Sequence, residues 1–111
     1  MNQSSTFNEL QSSSEDGLKI NELMFMLRHN EKMKYLVQQT NDKIDVKKYY
    51  EVVQNSTIAN ITVQSFADYK IMFGYIVDEL SQHLTQSEVN NLIKYRSILD
   101  AIILDIFDQL T

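Results

Sequence analysis

The stretch that decides the fold is TQSEVNNLIKYRSILDAIILDIFDQL, residues 85–110. Its first four residues have the Thr-x-x-Glu spacing of a capping box, in which Thr85 and Glu88 bind each other's backbone N–H groups. Apolar residues then recur at spacings of three and four: Val89, Leu92, Tyr95, Leu99, Ile102, Ile106 and Leu110. This pattern predicts one long amphipathic helix.

The same helix contains more apolar residues than one face requires. Between Ile98 and Phe107, eight of ten residues are apolar. The core-facing stripe uses Leu99, Ile102, Ile103, Ile106 and Leu110, and a second set faces elsewhere: Ile98, Ala101, Leu104 and Phe107. A helix that is apolar nearly all round must be covered nearly all round. Either the rest of the bundle covers the second set, or the second set binds another protein chain.

Three further helices are predicted upstream. The first runs from about Ser13 to Gln39; the polar segment 28–31 interrupts its apolar pattern, so one helix is favoured and two short helices are the alternative. The second carries Val46, Tyr49, Tyr50 and Val53 on one face. The third runs from about Thr62 to His83, and its off-stripe Gly74 either permits a close helix crossing or is simply tolerated.

The scarcity of turn residues supports an all-α fold. The chain has no proline and two glycines, whereas small sheet-rich domains need such residues at every turn. The β-branched run 57–63 is interpreted as a packed connector, because a lone strand would have no partner, and a short strand remains the alternative. We therefore predict a small helical bundle of about four helices over residues 17–111, preceded by a mobile, disordered polar tail over residues 1–16.

Composition narrows the class of protein. No cysteine is present, which fits a reducing compartment, and no apolar run is long enough for a membrane span, so we expect a cytoplasmic protein. The net charge is −5, with seven bases against four acids in residues 19–50 and three against eight in residues 51–111. The acidic sign makes nucleic acid a poor expected partner.

Few residues suit catalysis or metal binding. Glu79 and His83 lie one helical turn apart, but a zinc site takes three or four ligands, so a surface pair is the better interpretation. No nucleophile elbow, phosphate-binding glycine loop or zinc-protease motif is present. We expect no enzyme activity, no cofactor, no metal and no small-molecule substrate.

A basic helix face is formed by Lys43, Lys47 and Lys48, with Lys32 and Lys34 nearby. Such a face is usually solvated. The functional alternatives are docking of an acidic protein partner or self-association against the acidic C-terminal half and, less well supported, nucleic-acid regulation through residues 32–48, where no arginine accompanies these lysines.

In composition alone, the chain is similar to secretion chaperones and to small phage or plasmid regulators. It is small and acidic, it has no cysteine, and its C-terminal helix is amphipathic. We expect a non-catalytic regulator, adaptor or chaperone-like module. Its partner is another protein chain, a homodimer or a hetero-partner helix, bound through Ile98, Ala101, Leu104 and Phe107 and through Lys43, Lys47 and Lys48. Leu104 and Phe107 are expected to face outward.

Overall fold

The computed structural model describes residues 17–110, which form six helices and one two-stranded sheet. The elements are β1 (Leu18–Lys19), α1 (Ile20–Arg28), α2 (Glu31–Gln39), α3 (Val46–Gln54), β2 (Thr62–Val63), α4 (Phe66–Ser81), α5 (Gln86–Lys94) and α6 (Arg96–Leu110). The all-α prediction is confirmed, but the predicted number of about four helices is wrong. The predicted tail, residues 1–16, lies outside the described residues, as does the predicted helix start at Ser13.

The first predicted helix is broken into α1 and α2 at His29 and Asn30. The side chain of Asn30 accepts hydrogen bonds from the backbone N–H of Lys32, at 2.9 Å, and of Met33, at 3.2 Å. Asparagine is a strong N-cap residue because its side chain satisfies N–H groups that have no partner inside the helix. The favoured single helix is therefore wrong, and the alternative of two short helices is correct.

The last predicted helix is also two helices, which meet at Tyr95. The capping box at its start is confirmed: the Thr85 N–H donates to Glu88 Oε1 at 2.8 Å, and the Glu88 N–H donates to Thr85 Oγ1 at 3.1 Å. Tyr95, at the junction, has φ −99° and ψ 15°, outside the α-helical range, so the single long helix predicted from the apolar spacing is wrong.

The β-branched run 57–63 contains a short strand, so the alternative interpretation is the correct one. Its partner strand lies far upstream in the sequence. β1 and β2 pair antiparallel, with Leu18 opposite Val63. Beyond the strands, the N–H groups of Ile20 and Asn21 donate to the carbonyl oxygens of Ile61, at 2.9 Å, and Ala59, at 3.0 Å. The run therefore binds the first N–H groups of α1, which have no acceptor within that helix.

The last helix, α6, packs against α1, α2, α4 and α5. Its core face is buried as predicted, through Leu99, Ile102, Ile103 and Ile106, whereas Leu110 is only half-buried. The second and third predicted helices correspond to α3 and α4, and the latter begins after Ser65 rather than at Thr62. No helix within residues 17–110 is both long and apolar enough to cross a membrane.

Candidate interaction surface

The second apolar set on α6 is partly uncovered. Ile98 and Leu104 are 46% and 40% exposed, and Ala101 between them is exposed as well. On an α-helix, residues three positions apart differ by about 60° in direction, so Ile98 and Leu104 lie on opposite sides of Ala101. Phe107 does not share this surface, because its side chain is half-buried and packs against the core. The expectation that Phe107 faces outward is therefore corrected.

An apolar groove lies between α2 and α6, next to Ile98. Its volume is about 530 Å³, and almost all of its surface is apolar. The lining residues are Glu31, Lys32, Tyr35, Leu36, Gln39, Ile98, Ala101, Ile102 and Asp105. The groove exists because Met33 and Leu36 turn one side of α2 into the core, which holds Tyr35 beside the outward side of α6.

Tyr35 is a member of this surface that the sequence reasoning missed. Its side chain is 64% exposed, although it belongs to a helix whose other large apolar residues are mostly buried. It lies off the stripe formed by Met33, Leu36 and Val37, and that offset was a signal in the sequence. What the sequence could not show is that α2 would lie alongside Ile98.

A second cavity, of about 550 Å³, continues along α6 toward its C-terminal end. The residues that line it come from α1, the junction of α1 with α2, and the last turns of α6: Phe25, Met26, His29, Asn30, Glu31, Lys32, Asp105, Ile106, Gln109 and Leu110. Lys32 and Asp105 line both cavities and form an ion pair with each other. This pair marks the boundary between the groove and the second cavity.

The exposed ring of Phe25 lies at the edge of the second cavity. Its centroid is 4.5 Å from that of His29 and 5.8 Å from that of Tyr50, and the Arg28 guanidinium lies 5.5 Å from the Tyr50 centroid. Contacts between rings and with cations at these distances are favourable. This cluster joins α1 to α3 and needs no partner to explain it.

The predicted basic face is only partly available to a partner. The Lys48 ammonium donates to both carboxylate oxygens of Glu88 at 3.1 Å, and Lys34 lies 3.4 Å from Glu31. Together with the Lys32–Asp105 pair, three of the five lysines in the 32–48 segment are bound to carboxylates. Lys43 and Lys47 are exposed and have no ion pair among the described residues.

None of Lys43, Lys47 and Lys48 lines the groove between α2 and α6. The structure therefore separates the two groups of residues that the sequence analysis assigned to partner binding. One group lies on α6 beside the groove, and the other lies on and just before α3.

The most strongly shifted titratable groups hold the fold together. Hydrogen bonding from the Thr85 backbone N–H, and then from the Lys48 ammonium, lowers the pKa of Glu88. Burial raises the pKa of Tyr49 to about 12 and raises that of Tyr69 further, with Asp100 adding to the second shift. Both tyrosines therefore stay protonated at neutral pH, where they cannot act as bases.

Asp100 joins α4 to α6 through a small polar network. It accepts a hydrogen bond from the Tyr69 hydroxyl at 3.2 Å and lies 3.5 Å from the Arg96 guanidinium, which stacks 3.9 Å from the Phe73 ring centroid.

Among residues 17–110, no group of three or more histidine, aspartate or glutamate side chains is arranged to hold a metal ion. The apolar groove between α2 and α6 is therefore the best candidate for a binding site among the described features.

Comparison of the chain with protein-family models, with curated proteins and with solved structures found no match.

Proposed function

We propose that this protein is a non-catalytic protein–protein interaction module, a regulator, adaptor or chaperone-like protein, that binds another chain along the exposed side of α6. The observation that carries the proposal is the apolar groove between α2 and α6, whose edge is formed by Tyr35, Ile98 and Ala101. Contiguous exposed apolar surface beside a groove is typical of sites where an amphipathic helix binds.

The chemistry of the groove favours a protein over a small polar ligand. Small-molecule sites combine an apolar wall with a few polar groups that fix the ligand's orientation. In this groove two of the charged lining side chains, Lys32 and Asp105, pair with each other at the boundary with the second cavity. The remaining surface offers apolar contact along a helix, which suits the apolar stripe of another helix.

The alternative, a nucleic-acid regulator that uses residues 32–48, has less support. Three of its five lysines are bound to carboxylates within the chain, which reduces the positive charge offered to phosphates. The cytoplasmic location remains a prediction, based on the lack of cysteine.

Photo-crosslinking at Tyr35 tests the proposed function. Replacing Tyr35 by the photoreactive residue p-benzoylphenylalanine places the probe at the groove. The same replacement at Tyr75, on α4, is the matched control, because both tyrosines are 64% exposed. Cells that produce each variant are irradiated, and the protein products are separated by mass.

The proposal predicts a discrete protein adduct from the Tyr35 variant and none from the Tyr75 variant. The adduct is either a second copy of the chain or a different protein, and its mass distinguishes the two. Equal labelling from both positions, or no protein adduct from Tyr35, contradicts the proposal. A nucleic-acid adduct in place of a protein adduct supports the alternative function.

A further inference from the structure

We infer that α2 is a hinged lid beside the outward side of α6, held closed in part by the Lys32–Asp105 ion pair. When α2 opens, the groove and the second cavity join into one cleft along α6. The inference rests on the proposed function, because it adds a means of controlling access to the same surface. Three features of α2 support it: shallow burial, incomplete packing against α6, and a hinge at each end.

The first feature is that α2 buries few side chains. Of its nine residues, Met33 and Leu36 are buried, whereas α1, of the same length, buries four. The helix α5 also buries two, but Glu88 ties it to α3 through Lys48. A segment with few buried apolar contacts opens at a lower free energy than the whole domain. We therefore expect α2 to open before the rest of the bundle unfolds.

The second feature is the incomplete packing between α2 and α6. The groove and the second cavity, of about 530 and 550 Å³, both border the Lys32–Asp105 pair. A side chain next to a cavity has fewer atoms to contact, so it gains less dispersion energy. The contact that holds α2 against α6 is therefore weak, and the ion pair crosses it between the two cavities.

The third feature is a change of backbone direction at each end of α2. Before the helix, Asn30 is extended, with φ −76° and ψ 135°. After it, Asn41 and Asp42 have φ of 53° and 62°, a left-handed conformation that these two residue types adopt more readily than most. Leu27 and Ile44, which flank the two hinges, are buried in the core. The segment between the hinges can therefore move while both of its ends stay fixed.

Two contributions of different kind favour the closed position. Opening exposes Met33 and Leu36 to water, and their burial stabilises the closed lid. The ion pair adds less, because the side chains of Lys32 and Asp105 are 68% and 38% exposed. The open lid is thus a minor state in the free chain. A partner that binds the joined cleft shifts the population toward it.

Thiol labelling measures the opening, because the unchanged chain has no cysteine. Met33→Cys places a thiol on the buried side of α2. Leu23→Cys, on α1, is the matched control, since both side chains are 0% exposed. N-ethylmaleimide reacts with either thiol only when the surrounding structure opens. The Met33→Cys variant should react about tenfold faster or more, because α2 opens without global unfolding.

A double-mutant cycle tests the role of the ion pair. In the Met33→Cys chain, Lys32→Gln and Asp105→Asn should each raise the labelling rate about two- to fivefold, the range for an exposed ion pair. The double variant K32Q/D105N should be no faster than either single variant, because both remove the same contact. In the Leu23→Cys chain, Asp105→Asn should leave the rate unchanged.

Circular dichroism establishes that the variants are folded, and hydrogen exchange of the unchanged chain provides a measurement that needs no substitution. The amides of α2 should exchange together and faster than those of α1. The inference is overturned if they are equally protected, if Met33→Cys and Leu23→Cys react at the same rate, or if Asp105→Asn accelerates both or neither.

These measurements use the isolated chain, so they separate this inference from the proposed function. A lid that opens in a chain that gives no protein adduct at Tyr35 would contradict the proposed function alone. A protein adduct at Tyr35 in a chain whose α2 is fully protected would contradict the lid alone.

Discussion

Gly17 and Gly74 are the two glycines of the chain, and the fold uses only one of them for its conformational freedom. Gly17 has a φ of +96°, and a Cβ added to it would lie 2.3 Å from the carbonyl oxygen of Val63. At Gly74 an added Cβ would have nothing within 4 Å, so no close helix crossing occurs there. The interpretation of Gly74 as simply tolerated is the correct one.

We therefore expect Gly17→Ala to lower the free energy of unfolding by about 2 kcal/mol or more, because alanine is strained at positive φ and its methyl group collides with β2. Gly74→Ala should raise it by about 0.5–1 kcal/mol, since alanine restricts the unfolded chain and favours the helix. Urea unfolding measures both. Equal effects of the two substitutions would contradict the assigned roles.

Tyr49 and Tyr69 are both buried tyrosines, but only one of their hydroxyls is satisfied. The Tyr49 hydroxyl makes no hydrogen bond of normal geometry within the described residues, with the Asp45 backbone near enough to affect its pKa, whereas the Tyr69 hydroxyl donates to Asp100. Tyr49→Phe should leave the free energy of unfolding unchanged or raise it, because a buried unpaired hydroxyl is unfavourable. Tyr69→Phe should lower it by about 1 kcal/mol. Thermal and urea unfolding of the two variants make the comparison.

At the scale of elements, the start of α5 does more than cap one helix. Glu88 accepts the Thr85 N–H within the capping box and also binds Lys48 of α3. One carboxylate therefore satisfies the end of α5 and fixes α3 beside it. The sequence predicted the first contact from a spacing of three residues, but the second joins helices that are distant in the chain.

Stability should depend on pH through Glu88. Its pKa is lower in the folded chain than the 4.5 of an unperturbed glutamate, so its contribution is fully present at neutral pH and is lost as the pH falls below about 4.5. Glu88→Gln retains the shape of the cap but does not titrate. The variant should therefore lose less unfolding free energy than the unchanged chain between pH 7 and pH 3.

The control for this measurement is Glu31→Gln, which removes a more exposed ion pair with Lys34. Its effect at neutral pH should be small, since exposed ion pairs contribute little. If Glu88→Gln and the unchanged chain show the same pH dependence, then Glu88 is not responsible for the acid sensitivity.

The buried and exposed positions of α6 should respond very differently to the same substitution. Ile102 is buried, and Ile102→Glu places an unpaired charge in the core at a cost of several kcal/mol, enough to unfold a domain of this size. Ile98→Glu, one turn earlier on the exposed side, should change the free energy of unfolding by less than about 0.5 kcal/mol in the monomer. Circular dichroism with urea unfolding measures both. A folded Ile102→Glu variant would contradict the assigned core face.

At the scale of the whole molecule, the uneven charge is partly balanced within the chain. Residues 19–50 carry the excess of bases, and residues 51–111 carry the excess of acids. Two ion pairs, Lys32–Asp105 and Lys48–Glu88, join the basic part to the acidic part. The charge asymmetry seen in the sequence therefore contributes to internal contacts and does not leave a free basic surface of five lysines.

This internal pairing predicts weak binding to nucleic acid. A labelled DNA duplex titrated with the chain at about 150 mM salt should show a dissociation constant weaker than about 10⁻⁴ M, the weak end of non-specific binding. Gel mobility shift or fluorescence anisotropy measures it. Tighter binding that falls steeply with salt, and that Lys43→Glu with Lys47→Glu abolishes, would favour the nucleic-acid alternative.

The sequence by itself determined the helical class, the capping box at Thr85 and the core face of α6 through Leu99, Ile102 and Ile106. These follow from local rules, since periodicity and capping depend on residues within a few positions of one another. Only the tertiary structure decided that the interruption at residues 28–31 is a break between two helices, that β2 pairs with β1, and that Phe107 packs inward while Ile98 and Leu104 do not. Whether an apolar side chain is covered depends on which distant element lies beside it, and no local pattern contains that information. The groove with Tyr35 exists for the same reason, because it forms where two helices far apart in the sequence meet.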